Sequence, residues 1–297
     1  VDVGASGKFP TAIDINPTAR CNLQCSFCWG PDHAIPDGLT LGQWKDALGF
    51  FRARGTVGVV VTGGEPLIRE DLPAILAHAK ALGLHVTLST NALLLNKRHE
   101  SVLSFVDEIG LPLDGSSAEN NQKMRRGTQR SFGAVIDALP LVRARYPNIE
   151  ITIRTVVSRV NIADIEDLGR LLEGRADYFD RWKLYQFTPF SIGEAHRDEH
   201  AITDGEFLAL MERVRRLDGL GGRALGQMGG DAKGRYLFVG PLGDVYGVND
   251  VGTYGMAGSL LNDPPEALAA RILACVDQGR NTSHAKSPVS LRVLSQT

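Results

Sequence analysis

Val57-Gly58-Val59-Val60-Val61-Thr62-Gly63-Gly64-Glu65-Pro66 joins two unlike halves. The first, 57–61, is a continuous apolar run rich in β-branched residues, as expected of a strand buried on both faces of a parallel sheet. The second is a turn: two glycines permit close backbone approach or positive φ, Glu65 offers a carboxylate, and Pro66 fixes the chain direction. Taken alone, such a turn is either a plain tight turn or a ligand site.

The neighbouring segments repeat the strand-then-helix rhythm. Residues 12–16 read as a strand, and 41–54 as a helix with Leu41, Trp44, Ala47, Leu48 and Phe51 on one face and Thr40 as N-cap. Further on, helices are predicted over 71–82 (closed by Gly83), 97–105, 132–145 and 163–173. They alternate with strands over 85–88, 108–113, 149–157 and 182–187. Six successive βα-type units imply an α/β fold with a parallel sheet and helical crossovers. Function in such sheets gathers at the C-terminal strand ends.

The rhythm breaks after Thr188. A helix is expected over 204–217, a glycine-rich mobile loop over 219–234, a hairpin from 236–239 and 245–248, and a last helix over 264–277. The tail from 279 to 297 is polar and expected to be poorly ordered. The expected organisation is a core over 10–190 and a C-terminal extension over 191–297 that packs on it within the same domain.

Of 297 residues, 43% are hydrophobic and 22% charged, enough to build one large buried core. A formal net charge of −2 argues against a protein that blankets nucleic acid or an anionic membrane. No apolar run reaches membrane-spanning length and no signal peptide is visible, so a cytoplasmic location is expected.

Three of the four cysteines, Cys21, Cys25 and Cys28, form a CxxxCxxC loop, and only Cys275 lies elsewhere, in an apolar helix where a core thiol is expected. Three thiolates in one short loop can hold three irons of a [4Fe–4S] cube and leave the fourth iron open to another ligand. The alternative is a Cys₃His zinc site with His33, as in a zinc-binding interaction module.

The CxxxCxxC loop followed one βα unit later by Gly63-Gly64-Glu65-Pro66 resembles the radical S-adenosylmethionine (radical SAM) superfamily, over roughly Pro10 to Phe190. The resemblance implies a partial (β/α)6 barrel of TIM type, followed here by a small C-terminal extension of hairpin plus helix. It also implies one [4Fe–4S] cluster held by Cys21, Cys25 and Cys28, whose open iron binds SAM. Reductive cleavage then gives a 5′-deoxyadenosyl radical that takes hydrogen from a substrate, with the electron supplied by a partner such as flavodoxin or ferredoxin. By the same resemblance, Gly63, Gly64, Glu65 and Pro66 sit against the SAM amino group, and Ser89, Thr90 and Asn91 lie at a strand end that contacts SAM. Asp114 and Arg154 become contacts to its ribose and carboxylate, and Phe27 packs near adenine or is an ordinary core aromatic.

With only Cys275 left, auxiliary clusters of the peptide-modifying SPASM type are not expected, nor is a peptide-recognition domain visible before Pro10. The stretches 154–161, 181–186 and 193–195 resemble viperin-like nucleotide dehydratases, where basic residues matching Arg181 and Lys183 hold the anionic end of the nucleotide. Thr152, however, stands where that pattern carries a phosphate-binding Lys, which suggests a less anionic substrate. Trp29-Gly30-Pro31 resembles instead the cytosylglucuronate decarboxylases of nucleoside-antibiotic pathways. The leading expectation is therefore a carbon–carbon lyase that decarboxylates a glycosyl carboxylate on a nucleoside or sugar acid. A nucleotide dehydratase and a peptide-modifying enzyme are the enzyme alternatives. Lys183, Arg181, Arg125 and Arg126 are the candidate cations for the carboxylate. Glu194 and His196, with His200 near them, and Tyr254 or Tyr246 are candidate proton or hydrogen donors.

Overall fold

The computed structural model describes residues 9–276 apart from 221, 233 and 249–253. The strands are β1 (Ala12–Ile15), β2 (Gly58–Val61), β3 (His85–Ser89), β4 (Glu108–Pro112), β5 (Glu150–Val157), β6 (Arg181–Gln186), β7 (Ala224–Gln227), β8 (Leu237–Val239), β9 (Asp244–Val248) and β10 (Tyr254–Ser259). Among the described residues they form one sheet in the order β10-β9-β8-β1-β2-β3-β4-β5-β6-β7. Strands β1 to β7 pair in parallel, β8 joins β1 in parallel, and β8, β9 and β10 are antiparallel. The six expected βα units are thus present as a partial barrel, extended by parallel β7 on one side and by the mixed set β8 to β10 on the other.

Helices α1 (Leu41–Ala53), α2 (Leu72–Ala81), α3 (Leu95–Val102), α4 (Ala118–Met124), α5 (Arg130–Arg145) and α6 (Ile165–Glu173) link the parallel strands. After β6 come α7 (Arg197–His200), α8 (Asp204–Val214) and α9 (Pro265–Cys275). Helix α1 starts where the sequence places it, because Thr40 and Gln43 form a reciprocal capping box. Helix α4 escapes periodicity because its seven residues AENNQKM carry few apolar side chains; Ser117 caps it instead.

The register separates the two faces of the sheet. Ile13, Ile15, Val59, Val61, Val86, Leu88, Ile109, Leu111, Ile151, Ile153, Trp182 and Leu184 face the helices in one apolar core. Their neighbours in sequence point the other way, and that inner face is polar: pairing aligns Glu108 with Glu150, Thr152 with Arg181, and Arg154 with Lys183. The sheet curls enough that Arg154 on β5 feels the charge of Asp14 on β1. Gln227 Nε2 at the end of β7 donates to Tyr236 Oη at 2.8 Å, so the two sides meet beside β8.

Two expectations after Thr188 are corrected. The segment 219–234 is not simply a loop: Ala224–Gln227 is strand β7, hydrogen-bonded along β6. Its sequence, Ala-Leu-Gly-Gln, shows no β pattern, and Gly226 lets the strand run close to the Met211 side chain, which a Cβ would approach to 3.0 Å. The hairpin is also larger than expected, since β10 adds a third strand whose Tyr-Gly-Met-Ala-Gly-Ser sequence bulges between Met256 and Gly258.

Candidate active site

The segment before the first cysteine and the Gly-Gly-Glu-Pro turn are built against each other. Gly64 N donates to Thr18 O at 2.9 Å and Glu65 N to Arg20 O at 2.8 Å. A Cβ on Gly64 would lie 2.2 Å from Arg20 O, and one on Gly63, at φ +113°, would lie 2.5 Å from Thr18 O. The two glycines are therefore required by contact distance, so the turn is more than a plain bend. Glu65 is buried and its carboxylate accepts from Leu67 N, Thr90 Oγ1 and Asn91 N at 3.0, 2.7 and 2.7 Å. Burial pushes this carboxyl up against the pull of those donors. Asn91 then reaches back, its Nδ2 donating to Asn22 Oδ1 at 2.7 Å inside the cysteine loop. The ends of β1, β2 and β3 thus converge on one loop.

Cys21, Cys25 and Cys28 are unpaired thiols packed with Leu23, Phe27, Met124 and Phe187. Burial pushes Cys21 up to about 11 and Cys25 to about 12, with the Coulombic influence of Cys28 adding to it. Gly30 N donates to Cys28 Sγ at 3.2 Å. Beside them lies Arg125, which pairs with fully buried Asp114 at 2.6 Å and sits 5.3 Å from the Phe27 ring centroid. Its charge favours the thiolate at all three cysteines. One buried and two half-buried thiols with a cation beside them fit an anionic iron–sulfur cluster.

This geometry reassigns several expected roles. Arg125 belongs to the cysteine side rather than to a substrate carboxylate, because Asp114 anchors it there. Asp114 in turn pairs with Arg125 and accepts from Val156 N, 2.8 Å away, which fixes its carboxylate just past β4. Phe27 is a core aromatic under Arg125. Arg126 pairs with Glu199.

On the inner face, Arg154 donates to Ser89 Oγ and lies 3.4 Å from Glu108. A Cβ on Gly110 would clash with this guanidinium at 2.5 Å. Glu108 is buried, yet Lys183, Arg154, Thr152 and Arg181 hold it down at about 2. Arg181 pairs with Glu150 at 2.7 Å, where β5 and β6 begin, so it sits at the opposite strand ends from the cysteine loop and leaves the substrate set. Lys183 has no ion pair among the described residues.

Past β6, Glu194 is exposed and paired with Arg197 at 2.8 Å. His196 is half-exposed beside Glu199 at 3.3 Å. His200 is fully buried instead, with Nε2 2.8 Å from Ser26 Oγ, a placement that helical spacing gave no reason to expect. Tyr246 Oη accepts from Asn16 Nδ2 at 3.0 Å. The side chain of Tyr254 lies outside the described residues. Cys275 ends α9 and is packed on β9, away from the other three cysteines.

The Radical SAM superfamily model matches residues 15–172. A PqqA peptide cyclase of Streptomyces rochei is 30% identical over 69% of this chain and 56% of its own length. An S-adenosylmethionine-dependent nucleotide dehydratase of Selenomonas ruminantium is 25% identical over 68% of this chain and 74% of its length. The chain thus spans little more than half of the peptide cyclase. Among solved structures, anSMEcpe with bound AdoMet superposes with a TM-score of 0.67 at 16% identity, over 92% of this chain and 82% of that one. Streptococcus suis SuiB bound to S-adenosylmethionine gives 0.66 at 16% identity, over 93% and 68%. Together with the cysteine loop and its Gly-Gly-Glu-Pro partner, the match shows that this chain belongs to the radical SAM superfamily, whose cofactors are a [4Fe–4S] cluster and SAM.

Proposed function

We propose that the protein is a radical SAM lyase that decarboxylates a small glycosyl carboxylate of the cytosylglucuronate type. One observation carries the substrate class: the charge arrangement of the inner face. Arg154 is paired with Glu108 and Arg181 with Glu150, while Lys183, whose charge also acts on Glu108, makes no direct ion pair among the described residues. Arg154 Nε is also buried without a hydrogen-bond partner among the described residues, so a donor is left beside that ammonium. A cation without a direct ion pair and one open donor suit a single carboxylate. A triphosphate, with about four charges, needs several Lys or Arg partners. Thr152, bonded to Glu108 at 3.0 Å, occupies the inner-face position where a further lysine would sit in a nucleotide dehydratase.

When bound, the cluster and SAM supply an electron and a strongly hydrogen-abstracting radical. This chain's residues do the rest. Cys21, Cys25 and Cys28 would hold the cluster, Arg125 beside them would face the SAM carboxylate, and the Gly63–Gly64 backbone would meet its amino group. Lys183 and Arg154 orient the substrate carboxylate. For the substrate alone the reaction exchanges CO₂ for a proton (R–CO₂⁻ + H⁺ → R–H + CO₂) and is redox-neutral; each SAM released as methionine and 5′-deoxyadenosine takes two electrons and a proton, supplied by the external reductant. Tyr246 has its hydroxyl pushed up to about 12 by burial, so it stays protonated near neutral pH and is our candidate to face the substrate.

The nucleotide dehydratase match, over 74% of that relative, favours a second reading in which a nucleotide loses water. Lys183→Gln tests the choice of carboxylate anchor. The variant is expected to raise the KM for a sugar-acid nucleoside about tenfold or more, the scale of a lost charge-assisted hydrogen bond. SAM binding is expected to stay unchanged. An unaltered KM would remove Lys183 from the substrate site.

A further inference from the structure

We infer that the segment 188–200, which follows β6, is a strap that sets the second half of the cysteine loop, with His200 and Ser191 as its positioning residues. The inference rests on the cysteines being cluster ligands. The two halves of the loop are held by different parts of the molecule. The first half is fixed from the β3 and β4 ends, through Asn91 on Asn22 and through Gln24 N donating to Arg126 O at 2.8 Å.

The second half is fixed by the strap at four points. Trp29 Nε1 donates to Thr188 O at 2.8 Å, and Ser191 Oγ donates to Gly30 O at 2.7 Å. Gly193 N donates to Cys28 O at 3.2 Å, and His200 Nε2 lies 2.8 Å from Ser26 Oγ. Every attachment falls within Ser26–Gly30, around the third cysteine.

Two features mark this as a built contact. His200 is fully buried with both ring nitrogens engaged, since Nδ1 lies 3.3 Å from Ser158 Oγ just past β5. Its ring also packs on Phe27 and Phe187, at 5.9 and 5.2 Å between centroids. The imidazole therefore joins the ends of β5 and β6 to the residue after Cys25. Ser191 holds φ at +50°, a left-handed conformation uncommon for a residue other than glycine, while its hydroxyl bonds Gly30. A strap that only covered the surface would need neither a doubly engaged buried histidine nor a left-handed serine.

The test compares two of the loop thiols, Cys21 and Cys28, within one protein. In cluster-free protein, alkylation by iodoacetamide is followed by peptide mass at Cys21 and Cys28. His200→Leu is expected to raise the Cys28-to-Cys21 ratio about fivefold, the factor carried by one neutral hydrogen bond. His200→Gln, which can still meet Ser26, is expected to return most of that change. Ser191→Ala, a substitution on the half-exposed side of the strap, is expected to move the ratio in the same direction. In the reconstituted holoenzyme, the same variants are expected to alter the electron paramagnetic resonance spectrum of the reduced cluster with SAM. If His200→Leu does not fold, Ser191→Ala decides alone. An unchanged ratio together with an unchanged spectrum overturns the strap, and so does an equal rise at Cys21 and Cys28, which signals general loosening. Wild-type protein that binds no iron overturns the cluster assignment itself.

Discussion

A single buried pair governs much of the site's electrostatics. Asp114 and Arg125 are each enclosed, and removing one leaves an uncompensated charge, at a cost of about 3–5 kcal/mol. Arg125→Gln is accordingly expected to lower stability by that order and to weaken SAM binding. Adding Asp114→Asn to it should recover most of the stability but not the SAM affinity. Chemical denaturation and calorimetric SAM titration of the two proteins separate these effects; recovery of both would mean that Arg125 only balances Asp114. The cysteines and the Gly-Gly-Glu-Pro turn could be read from the sequence, because their spacing carries the chemistry. The position of Arg125 could not: whether it meets water or Asp114 depends on how the turn after α4 folds back under Phe27. For Glu194, too, the place after β6 is legible in the sequence but the exposed pairing with Arg197 is not.

Among the secondary-structure elements, β6 ties the core to the site. Trp182 on its outer face is fully buried and its Nε1 donates to Thr155 Oγ1 at 2.8 Å on β5. On the same strand, Lys183 points inward. Trp182→Ala is expected to destabilise the protein by about 3–5 kcal/mol through the cavity it leaves, read as a lower denaturation midpoint. A loss below about 1 kcal/mol would mean that β6 is not packed as described. Strands β1 to β6 were legible because their outer-face residues are apolar and regularly spaced. Strand β7 was not, since it takes its conformation from pairing with β6 and from room made by Gly226. Strand β10 likewise depends on its partner β9.

For the whole molecule, the polar inner face couples charge to stability. Glu108 is held at about 2 by the surrounding cations, below its ordinary value of 4.5. A carboxylate with a depressed folded pKa contributes stability that is fully present above pH 4.5 and is lost as pH falls toward 2, roughly 3 kcal/mol in all. Wild type is therefore expected to exceed Glu108→Gln in stability near pH 6, with the gap closing as pH falls toward 2. A gap that does not change with pH would show that the inner-face cations do not hold Glu108 ionised.

The most direct measurement uses anaerobically reconstituted, reduced enzyme with SAM and either cytosylglucuronate or CTP, followed by LC–MS for 5′-deoxyadenosine and product masses. The account predicts 5′-deoxyadenosine together with loss of CO₂ from cytosylglucuronate. Loss of water from CTP, with cytosylglucuronate untouched, would contradict it.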